Sequence, residues 1–167
     1  MGTTPRNATD LLEFVTSADV EAVERFSVKE VMKTGRIGDV KFWLSENFQR
    51  VFGFLVETNV PAMTLRSHRL KKGSVDGPIL EELGGLEQAK VFIAHMFALA
   101  CRQGQGQDGF LLTNGWANIG YAPDPNDPET FSAVYFYGYA SYRGWNVSAT
   151  RITDPDAWSA GHRVVSR

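Results

Sequence analysis

Histidine side chains are the first place in this sequence to look for metal or acid–base chemistry. The three histidines, His68, His95 and His162, are far apart and lie outside HxH, HExxH and CxxC patterns. Such patterns matter because a metal ion needs several ligands that one or two elements bring together. The sequence therefore gives no support for a metal site, and we expect no cofactor.

His95 has the position that best suits general acid–base catalysis. It lies beside Phe92 and Leu99 on an apolar segment, so it could face a pocket and act as a base. A histidine in such surroundings is more often hydrogen-bonded within the core, and we favour that interpretation. Cys101 lies on the same apolar segment, where packing explains it better than nucleophilic chemistry.

The carboxylates offer no paired acid and base. Glu81 and Glu82 are adjacent and would diverge on a helix. The acidic residues between Asp124 and Glu129 lack the central glycine of a calcium-binding loop, so a proline-rich turn is the better interpretation. Phosphate-binding patterns such as GxGxxG and GxxxxGK[ST] do not occur. The sequence thus predicts no catalytic residue, and we lean towards a protein that is not an enzyme.

One segment is biased towards positive charge in a chain whose formal net charge is -2. It contains Arg66, His68, Arg69, Lys71 and Lys72. A phosphate or RNA contact site is one interpretation. In an extended backbone, however, Arg66 and His68 share one face while Arg69 and Lys71 share the other. We favour an edge strand that its charges keep soluble.

Tyrosine and tryptophan are concentrated in the last third of the chain. These residue types carry binding energy at interfaces and also line ligand pockets, although alternation must bury about half of them. We expect an interaction surface to be formed by a group of six aromatic residues. These are Trp116, Tyr135, Tyr137, Tyr139, Tyr142 and Trp145.

The stretch from Glu129 to Ile152 has the strongest strand character. Its apolar residues alternate on both sides, with Phe131 and Ala133 on one side and Val134 and Phe136 on the other. Because a half-exposed strand would alternate apolar with polar residues, this one should be covered on both faces. We predict a central strand that bends or reverses near residues 143–144.

The order of the remaining signals predicts an α+β fold with N-terminal helices packed on a C-terminal antiparallel sheet of three to five strands. Helical spacing of apolar residues favours long helices over residues 39–58 and 86–102, on one face of that sheet. We expect a single domain made of a short helical cap (residues 1–38), two long helices joined by an extended segment (residues 39–102) and the sheet (residues 109–167).

Length and composition set outer bounds on the protein class. A chain of 167 residues with 43% hydrophobic residues can bury a core within one domain. Its pI near 5.9 argues against a protein that coats nucleic acid by charge alone. No apolar run approaches the ~20 residues of a membrane span, and the N-terminus lacks signal-peptide features. We therefore expect a soluble, cytoplasmic protein.

Three functions stay open at the level of sequence. The favoured one is an interaction or assembly protein that self-associates or binds a protein partner through the aromatic sheet, as a component of a viral or phage particle or a host-binding protein would. The second is a small-ligand carrier or enzyme with a pocket between sheet and helices, in which His95, Tyr137 or Asp108 would point inward; cone-shaped folds that bind steroids and polyketides share this order of elements. The third is nucleic-acid binding through residues 66–72.

Overall fold

The computed structural model describes residues 10–32, 35–37, 40–104, 106–139 and 144–167 of the chain. Strands predominate among its elements. In chain order these are β1 (Leu12–Val20), β2 (Val23–Ser27), α1 (Val28–Val31), β3 (Gly35–Ile37), β4 (Val40–Leu44), α2 (Glu46–Phe52), β5 (Val56–Val60), β6 (Met63–Leu70), α3 (Asp76–Glu82), α4 (Leu86–Ala89), α5 (Ile93–Arg102), β7 (Asn118–Asp124), β8 (Asp127–Tyr139), β9 (Gly144–Arg151) and β10 (Arg163–Ser166).

A large mixed sheet organises the described part of the chain. It has eight strands in the order β1-β6-β10-β7-β8-β9-β4-β3, and β2 and β5 form a separate two-stranded sheet. The large sheet includes parallel pairs, β10 with β7 and β4 with β9. The predicted α+β fold, with N-terminal helices on an antiparallel sheet of three to five strands, is therefore wrong. Half of the large sheet comes from the part of the chain that was expected to be helical or connecting.

The predicted helical cap over residues 1–38 is the first specific correction. Residues 12–27 form β1 and β2, and only α1 is helical, while residues 1–9 lie outside the described part of the chain. Ser27 is the N-cap of α1, because its Oγ accepts a hydrogen bond from the Glu30 backbone N–H at 3.4 Å. β1 is extended because β6 pairs with it from Leu12 to Val20. This long-range pairing overrides a local pattern that also fits a helix.

The predicted helix over residues 39–58 is in fact a strand, a short helix and a second strand. Ser45 makes the break, since its Oγ accepts from the Phe48 backbone N–H at 3.1 Å and begins α2. Before Ser45 the buried residues alternate, as Val40 and Phe42 do in β4; after it Phe48 and Phe52 are four apart, as on one helix face. A strand period of two residues followed by a helical period of about four therefore gives apolar spacing that resembles one long helix.

The predicted helix over residues 86–102 is interrupted at Lys90. The Val91 backbone N–H donates to the Tyr121 carbonyl at 2.9 Å, which ties the break to β7. α5 then begins at Ile93, and Glu57 from β5 accepts hydrogen bonds from the Ile93 and Ala94 backbone N–H groups at 3.0 and 2.8 Å. A carboxylate from another element thus supplies the N-terminal cap that the local sequence lacks.

The predicted central strand from Glu129 to Ile152 is confirmed as β8 and β9. The two strands pair antiparallel from Ser132 with Arg151 to Tyr139 with Gly144, so the chain reverses where Gly144 begins β9. β8 lies between β7 and β9, in the interior of the sheet. The predicted proline-rich turn lies between β7 and β8, where Asp124 Oδ1 accepts from the Asn126 backbone N–H at 2.8 Å.

Separate apolar clusters cover the two faces of the sheet. On one face, side chains from α2, α5 and the small sheet pack on Val134, Phe136 and Val147. On the other, Ile79 and Leu80 of α3 belong to the cluster that contains Phe131 and Ala133. Both helices that replace the predicted long ones therefore lie on the same face. None of the helices within the described ranges is long and apolar enough to cross a bilayer.

Candidate functional site: an aromatic row beside a buried aspartate

Five aromatic rings form a continuous row on the α3 face of the sheet. In spatial order the aromatic row contains Tyr137, Tyr135, Trp158, His162 and Trp116. The distances between successive ring centroids are 6.0, 5.1, 5.5 and 4.8 Å. The two tyrosines are stacked, and the other three contacts are edge-to-face, which is the geometry that aromatic quadrupoles favour.

The strands and their flanking loops bring these rings together. Tyr135 and Tyr137 lie on one face of β8 because side chains two apart in a strand point the same way. Trp158 follows β9, and its backbone N–H and carbonyl both pair with Ser74, at 2.8 and 3.0 Å. His162 and Trp116 stand just before the neighbouring strands β10 and β7. Residues from β8, from the connection between β9 and β10 and from the loop before β7 thus meet in one row.

Asp76, the first residue of α3, anchors the middle of the row. The Trp158 indole Nε1–H donates to its Oδ1 at 2.8 Å, and the Tyr121 hydroxyl donates to the same oxygen at 2.7 Å. Asp76 is buried, with only 1% of its surface exposed. Burial raises the pKa of this carboxyl above its ordinary value, the two hydrogen bonds oppose that shift, and the charge of Asp154 adds to it.

The side-chain hydrogen bonds of Asp76 are concentrated on one carboxylate oxygen. Both of the carboxylate's hydrogen bonds reach Oδ1, and within the described residues none reaches Oδ2. Asp76 lines a cavity of about 190 Å³ next to the row. The other lining residues are Tyr135, Thr150, Asp154, Asp156, Ala157 and Trp158. We call this space the acidic aromatic pocket; its lining has three carboxylates, two aromatic rings and no basic side chain.

His162 is held in its neutral form within the row. Its Nδ1 accepts a hydrogen bond from the Ala117 backbone N–H at 2.8 Å, which requires the nitrogen lone pair. The imidazole lies between the rings of Trp116 and Trp158. Burial lowers the pKa of His162 below its ordinary value. The imidazole therefore packs against two indole rings, and protonation of its Nδ1 would remove the acceptor of this hydrogen bond.

The six aromatic residues predicted to form one interaction surface do not all lie on the same surface. Trp116, Tyr135 and Tyr137 belong to the row, and Trp116 is 40% exposed. Trp145 points to the opposite face, where it is buried and donates its indole N–H to the Ala100 carbonyl at 2.8 Å. Its prediction as a surface residue is wrong, because the strand register turns it into the core. Tyr142 and the side chain of Tyr139 lie outside the described residues.

The predicted basic segment is extended, as expected, but it is not an edge strand. β6 runs between β1 and β10, and the paired strands neutralise much of its charge. Arg69 pairs with Glu13 at 3.0 Å, and Lys71 pairs with Asp10 at 2.5 Å.

The other residues of this segment that were predicted to contact phosphate are Arg66, His68 and Lys72, and each has a different environment. Arg66 lies over the ring of Phe14, 4.3 Å from its centroid. His68 Nε2 is 3.1 Å from Ser166 Oγ. Lys72 is exposed beyond the end of β6. Arg66 and His68 line one cavity of about 270 Å³ together with Arg167, whereas Arg69, Lys71 and Lys72 are not part of its lining.

The remaining candidates for catalysis, His95, Cys101 and Asp108, do not lie together in one site. His95 is fully buried, and its Nε2 lies 3.2 Å from the Glu21 carbonyl, which agrees with the core interpretation. Burial raises the pKa of the Cys101 thiol to about 11, so the reactive thiolate is disfavoured. Asp108 is exposed on the loop after α5. Within the described ranges, no three ligand-type side chains are grouped so as to hold a metal ion.

A larger groove lies on another part of the molecule. Its volume is about 670 Å³, and its lining joins α1 to α2. The residues are Val28, Lys29, Leu44, Glu46, Gln49, Arg50, Gly53 and Phe54. Phe54 is 81% exposed at its rim and carries the Lys29 ammonium 5.5 Å from its ring centroid. This groove is mainly apolar and has no buried polar anchor comparable to Asp76.

Sequence reasoning missed Asp76, Trp158 and His162 as members of one site. Asp76 precedes Gly77 and Pro78, which is a signal for the start of a helix and carries no information about a pocket. Its partners Tyr121 and Trp158 are 45 and 82 residues away in sequence. Only the strand order, which places β7 beside β10, could bring them together.

Comparisons with protein-family models, with curated proteins and with solved structures found no significant match to this chain. The site must therefore be interpreted from its own geometry.

Proposed function

We propose that this protein is a non-enzymatic interaction protein that binds another protein chain, a partner or a second copy, through the aromatic row. The observation that carries the proposal is the row itself: five rings, each in contact with the next, from half-buried Tyr137 to exposed Trp116. Tyrosine and tryptophan are the residues most enriched among those that dominate binding energy.

The row is arranged for binding at a low entropic cost. Trp158 is fixed by backbone pairing with Ser74 and by its hydrogen bond to Asp76, and His162 is fixed by Ala117. Rings that are already ordered lose little rotamer freedom when a partner covers them. The neighbouring cavity of about 190 Å³ is smaller than the roughly 300–1,000 Å³ of pockets for whole small ligands. Its size suits one side chain of a protein partner.

The other two functions have weaker support. A carrier or enzyme with a pocket between sheet and helices needs His95, Tyr137 or Asp108 to face that pocket, yet His95 is sealed in the core and Asp108 is exposed. The 670 Å³ groove at Phe54 favours small-ligand binding as a second candidate, at a different place from the one predicted. Nucleic-acid binding is disfavoured because Glu13 and Asp10 already pair with Arg69 and Lys71.

Location and assembly are part of the proposal. The expectation of a cytoplasmic protein rests on the sequence, and that of incorporation into a viral or phage particle rests on the size of the chain and its lack of catalytic motifs. Either setting would supply a protein partner or further copies of this chain. Light scattering at several concentrations shows whether the chain self-associates; for a chain that stays monomeric, binding of another protein must be shown separately.

Selection from a displayed peptide library tests the proposal without a known partner. The immobilised protein is screened against random peptides, and each enriched peptide is re-tested on Trp116→Ala and on the matched control Phe54→Ala, which truncates an exposed ring far from the row. We expect peptides that bind the wild-type protein and the control but lose about tenfold or more on Trp116→Ala. Enrichment only of peptides that depend on Phe54, or no enrichment together with a concentration-independent monomer, would contradict the proposal.

A further inference from the structure

A separate cavity of about 270 Å³ lies where α3 ends over the strands β1, β6 and β10. The strand register places its side chains, because Phe14 of β1 is opposite His68 of β6, and Ser166 of β10 is opposite Arg66. Arg66 and His68 share one face of β6, since side chains two apart in a strand point the same way. We call this space the arginine cavity. The polar and aromatic residues of its lining are Phe14, Arg66, His68, Glu82, Ser166 and Arg167.

The guanidinium of Arg66 is positioned in the arginine cavity without an anionic partner. It lies over the Phe14 ring, 4.3 Å from the ring centroid. Within the described residues it forms neither a hydrogen bond nor an ion pair with another side chain. Its N–H donors are therefore available to a ligand, and the contact with Phe14 reduces the conformational freedom that binding would remove.

Glu82 does not neutralise Arg66, although both residues line the cavity. Its Oε1 accepts a hydrogen bond from the Leu11 backbone N–H at 2.8 Å, and its Oε2 accepts one from the Leu12 backbone N–H at 2.7 Å. Both carboxylate oxygens therefore hold the start of β1 against α3. The carboxylate of the lining is engaged with the backbone, and the nearby guanidinium is not its partner.

Arg167 supplies a second guanidinium to the lining. Its Nε donates to the Lys90 carbonyl at 2.8 Å, and its guanidinium carbon lies 5.6 Å from the centroid of the Phe92 ring. Among the residues that the structure describes, it too has no side-chain carboxylate as a partner. The lining thus combines two guanidinium groups with one carboxylate that is already engaged.

His68 adds a titratable donor to the arginine cavity. Its Nε2 is 3.1 Å from Ser166 Oγ, which leaves Nδ1 as the ring nitrogen for a ligand. Burial and the charge of Arg66 lower the pKa of His68, and the charge of Glu82 opposes that shift. An anion bound in the cavity would also oppose it, because a negative charge stabilises the protonated imidazole.

We infer that the arginine cavity binds the phosphate group of a phosphate monoester, whose oxygens contact the guanidinium groups of Arg66 and Arg167 and the imidazole of His68. This inference goes beyond the proposed function, because the ligand is different from the chain that covers the aromatic row and binds at a different place.

Size and charge favour a monoester over other anions. A volume of about 270 Å³ is below the roughly 300–1,000 Å³ of pockets for whole ligands, so it suits one charged group. A phosphate monoester carries nearly two negative charges and three acceptor oxygens, which match two guanidinium groups better than a carboxylate with one charge does. A nucleic-acid backbone fits less well, because Arg69, Lys71 and Lys72 do not line the cavity to continue a row of phosphates.

Phenyl phosphate is the direct probe, with methyl phenyl phosphate as the matching diester and benzoate as the matching carboxylate. Binding at constant ionic strength is followed by the NMR resonances of the His68 imidazole. We expect saturable shifts with phenyl phosphate, a higher His68 pKa in the complex, and at least about tenfold weaker binding of the other two compounds. Equal binding of the three compounds, or no saturable response to phenyl phosphate, would overturn the inference.

The two faces of β6 provide a matched pair of variants. Arg66→Gln removes the guanidinium over the cavity, and Arg69→Gln removes one from the other face of the same strand; both residues are exposed. We expect Arg66→Gln to weaken phenyl phosphate by about tenfold or more and Arg69→Gln by less than about twofold. Arg167→Gln should weaken it by about threefold or more. Equal affinities of the Arg66 and Arg69 variants would refute the site.

A capped phosphoserine peptide identifies the source of the phosphate. Tighter binding of phenyl phosphate than of the peptide assigns the cavity to a small molecule, and the reverse order assigns it to a phosphorylated protein; either order supports a monoester site. Trp116→Ala should leave the affinity for phenyl phosphate unchanged, since the aromatic row takes no part in this site. Loss of phenyl phosphate binding in Trp116→Ala would contradict the assignment to the arginine cavity.

Discussion

Trp158 donates its indole N–H to Asp76 Oδ1 over 2.8 Å, which links the loop after β9 to the first turn of α3. The bond holds a ring of the aromatic row and a carboxylate of the acidic aromatic pocket in one arrangement. Binding surface and stability are therefore coupled at this point, and a change to either residue should affect both.

Replacing the Trp158 indole by a phenyl ring, which removes the N–H together with part of the ring system, should destabilise the fold. Trp158→Phe keeps an aromatic ring but leaves Asp76 Oδ1 with Tyr121 as its one remaining donor. We expect a loss of about 1–2 kcal/mol in the free energy of unfolding, measured by urea denaturation, because a buried acceptor loses a partner. Trp116→Phe is the control, since the same change at an exposed ring should stay within about 0.5 kcal/mol. Equal losses in the two variants would show that the hydrogen bond is unimportant.

The cap that Glu57 provides should be essential for α5. Glu57→Ala leaves the Ile93 and Ala94 backbone N–H groups without their acceptors. We expect a loss of about 2 kcal/mol in the free energy of unfolding, at the upper end for an N-terminal cap because the site is partly buried. Glu24→Ala, on the strand that pairs with β5, changes an exposed glutamate and should have little effect. A Glu57 variant as stable as the Glu24 variant would contradict this role.

Two glycine-to-alanine changes should differ in size. At Gly144 an added Cβ would lie 2.5 Å from the Lys41 carbonyl oxygen, where β4 pairs with β9, so Gly144→Ala should cost about 2 kcal/mol or more. At Gly77, within α3, an added Cβ meets nothing within 4 Å beyond its chain neighbours, but it precedes Pro78, which disfavours helical backbone for a residue with a Cβ. The gain from replacing a helical glycine and this cost oppose each other, so Gly77→Ala should change the free energy of unfolding by less than about 1 kcal/mol. Thermal denaturation of both variants checks the prediction, and a stable Gly144→Ala would argue against this register of β4.

Acid should destabilise the protein through its histidines. Burial lowers the pKa of His68, His95 and His162 below 6.5, so the unfolded chain binds more protons than the folded chain as the pH falls through 6.5. The free energy of unfolding should therefore decrease from about pH 7.5 to about pH 5.5. His162→Gln, which cannot be protonated, should make this decrease smaller. A decrease of the same size in the variant would exclude His162 as a contributor.

The Cys101 thiol should react slowly in the folded protein. Because burial raises its pKa to about 11, the fraction of thiolate near neutral pH is very small. We expect a disulfide reagent to modify native Cys101 at least about tenfold more slowly than the same residue in denaturant. Equal rates would mean that the α5 surface around Cys101 is open.

The part of the fold that the sequence could predict is the part governed by local pattern. Apolar alternation on both sides of Phe131 to Phe136 predicted an interior strand, and β8 is one. The failure at residues 39–58 has a specific cause: β4 ends at Leu44 and α2 begins at once, so residues with period 2 and residues with period 3.6 follow each other without a visible boundary. Ser45 was the signal, as an N-cap residue within an apparently continuous helix.

The site was predictable only in part. The concentration of aromatic residues indicated a surface, and Trp116, Tyr135 and Tyr137 are in the row. Alternation separates the two faces of β9 but does not show which face is covered. It therefore could not show that Trp145 faces the core. The relation of Asp76 to Tyr121 and Trp158 depends on long-range strand order, which includes the parallel pairing of β10 with β7. No local pattern encodes that pairing.

The central claim is that the aromatic row binds a protein chain, and the affinity of one selected peptide for three proteins tests it most directly. Isothermal titration calorimetry would compare the wild-type protein with Trp116→Ala and Phe54→Ala. We predict that Trp116→Ala weakens binding by about tenfold or more while Phe54→Ala changes it by less than about twofold. The reverse order, with affinity lost at Phe54 and kept at Trp116, would contradict the account and move the binding site to the groove between α1 and α2.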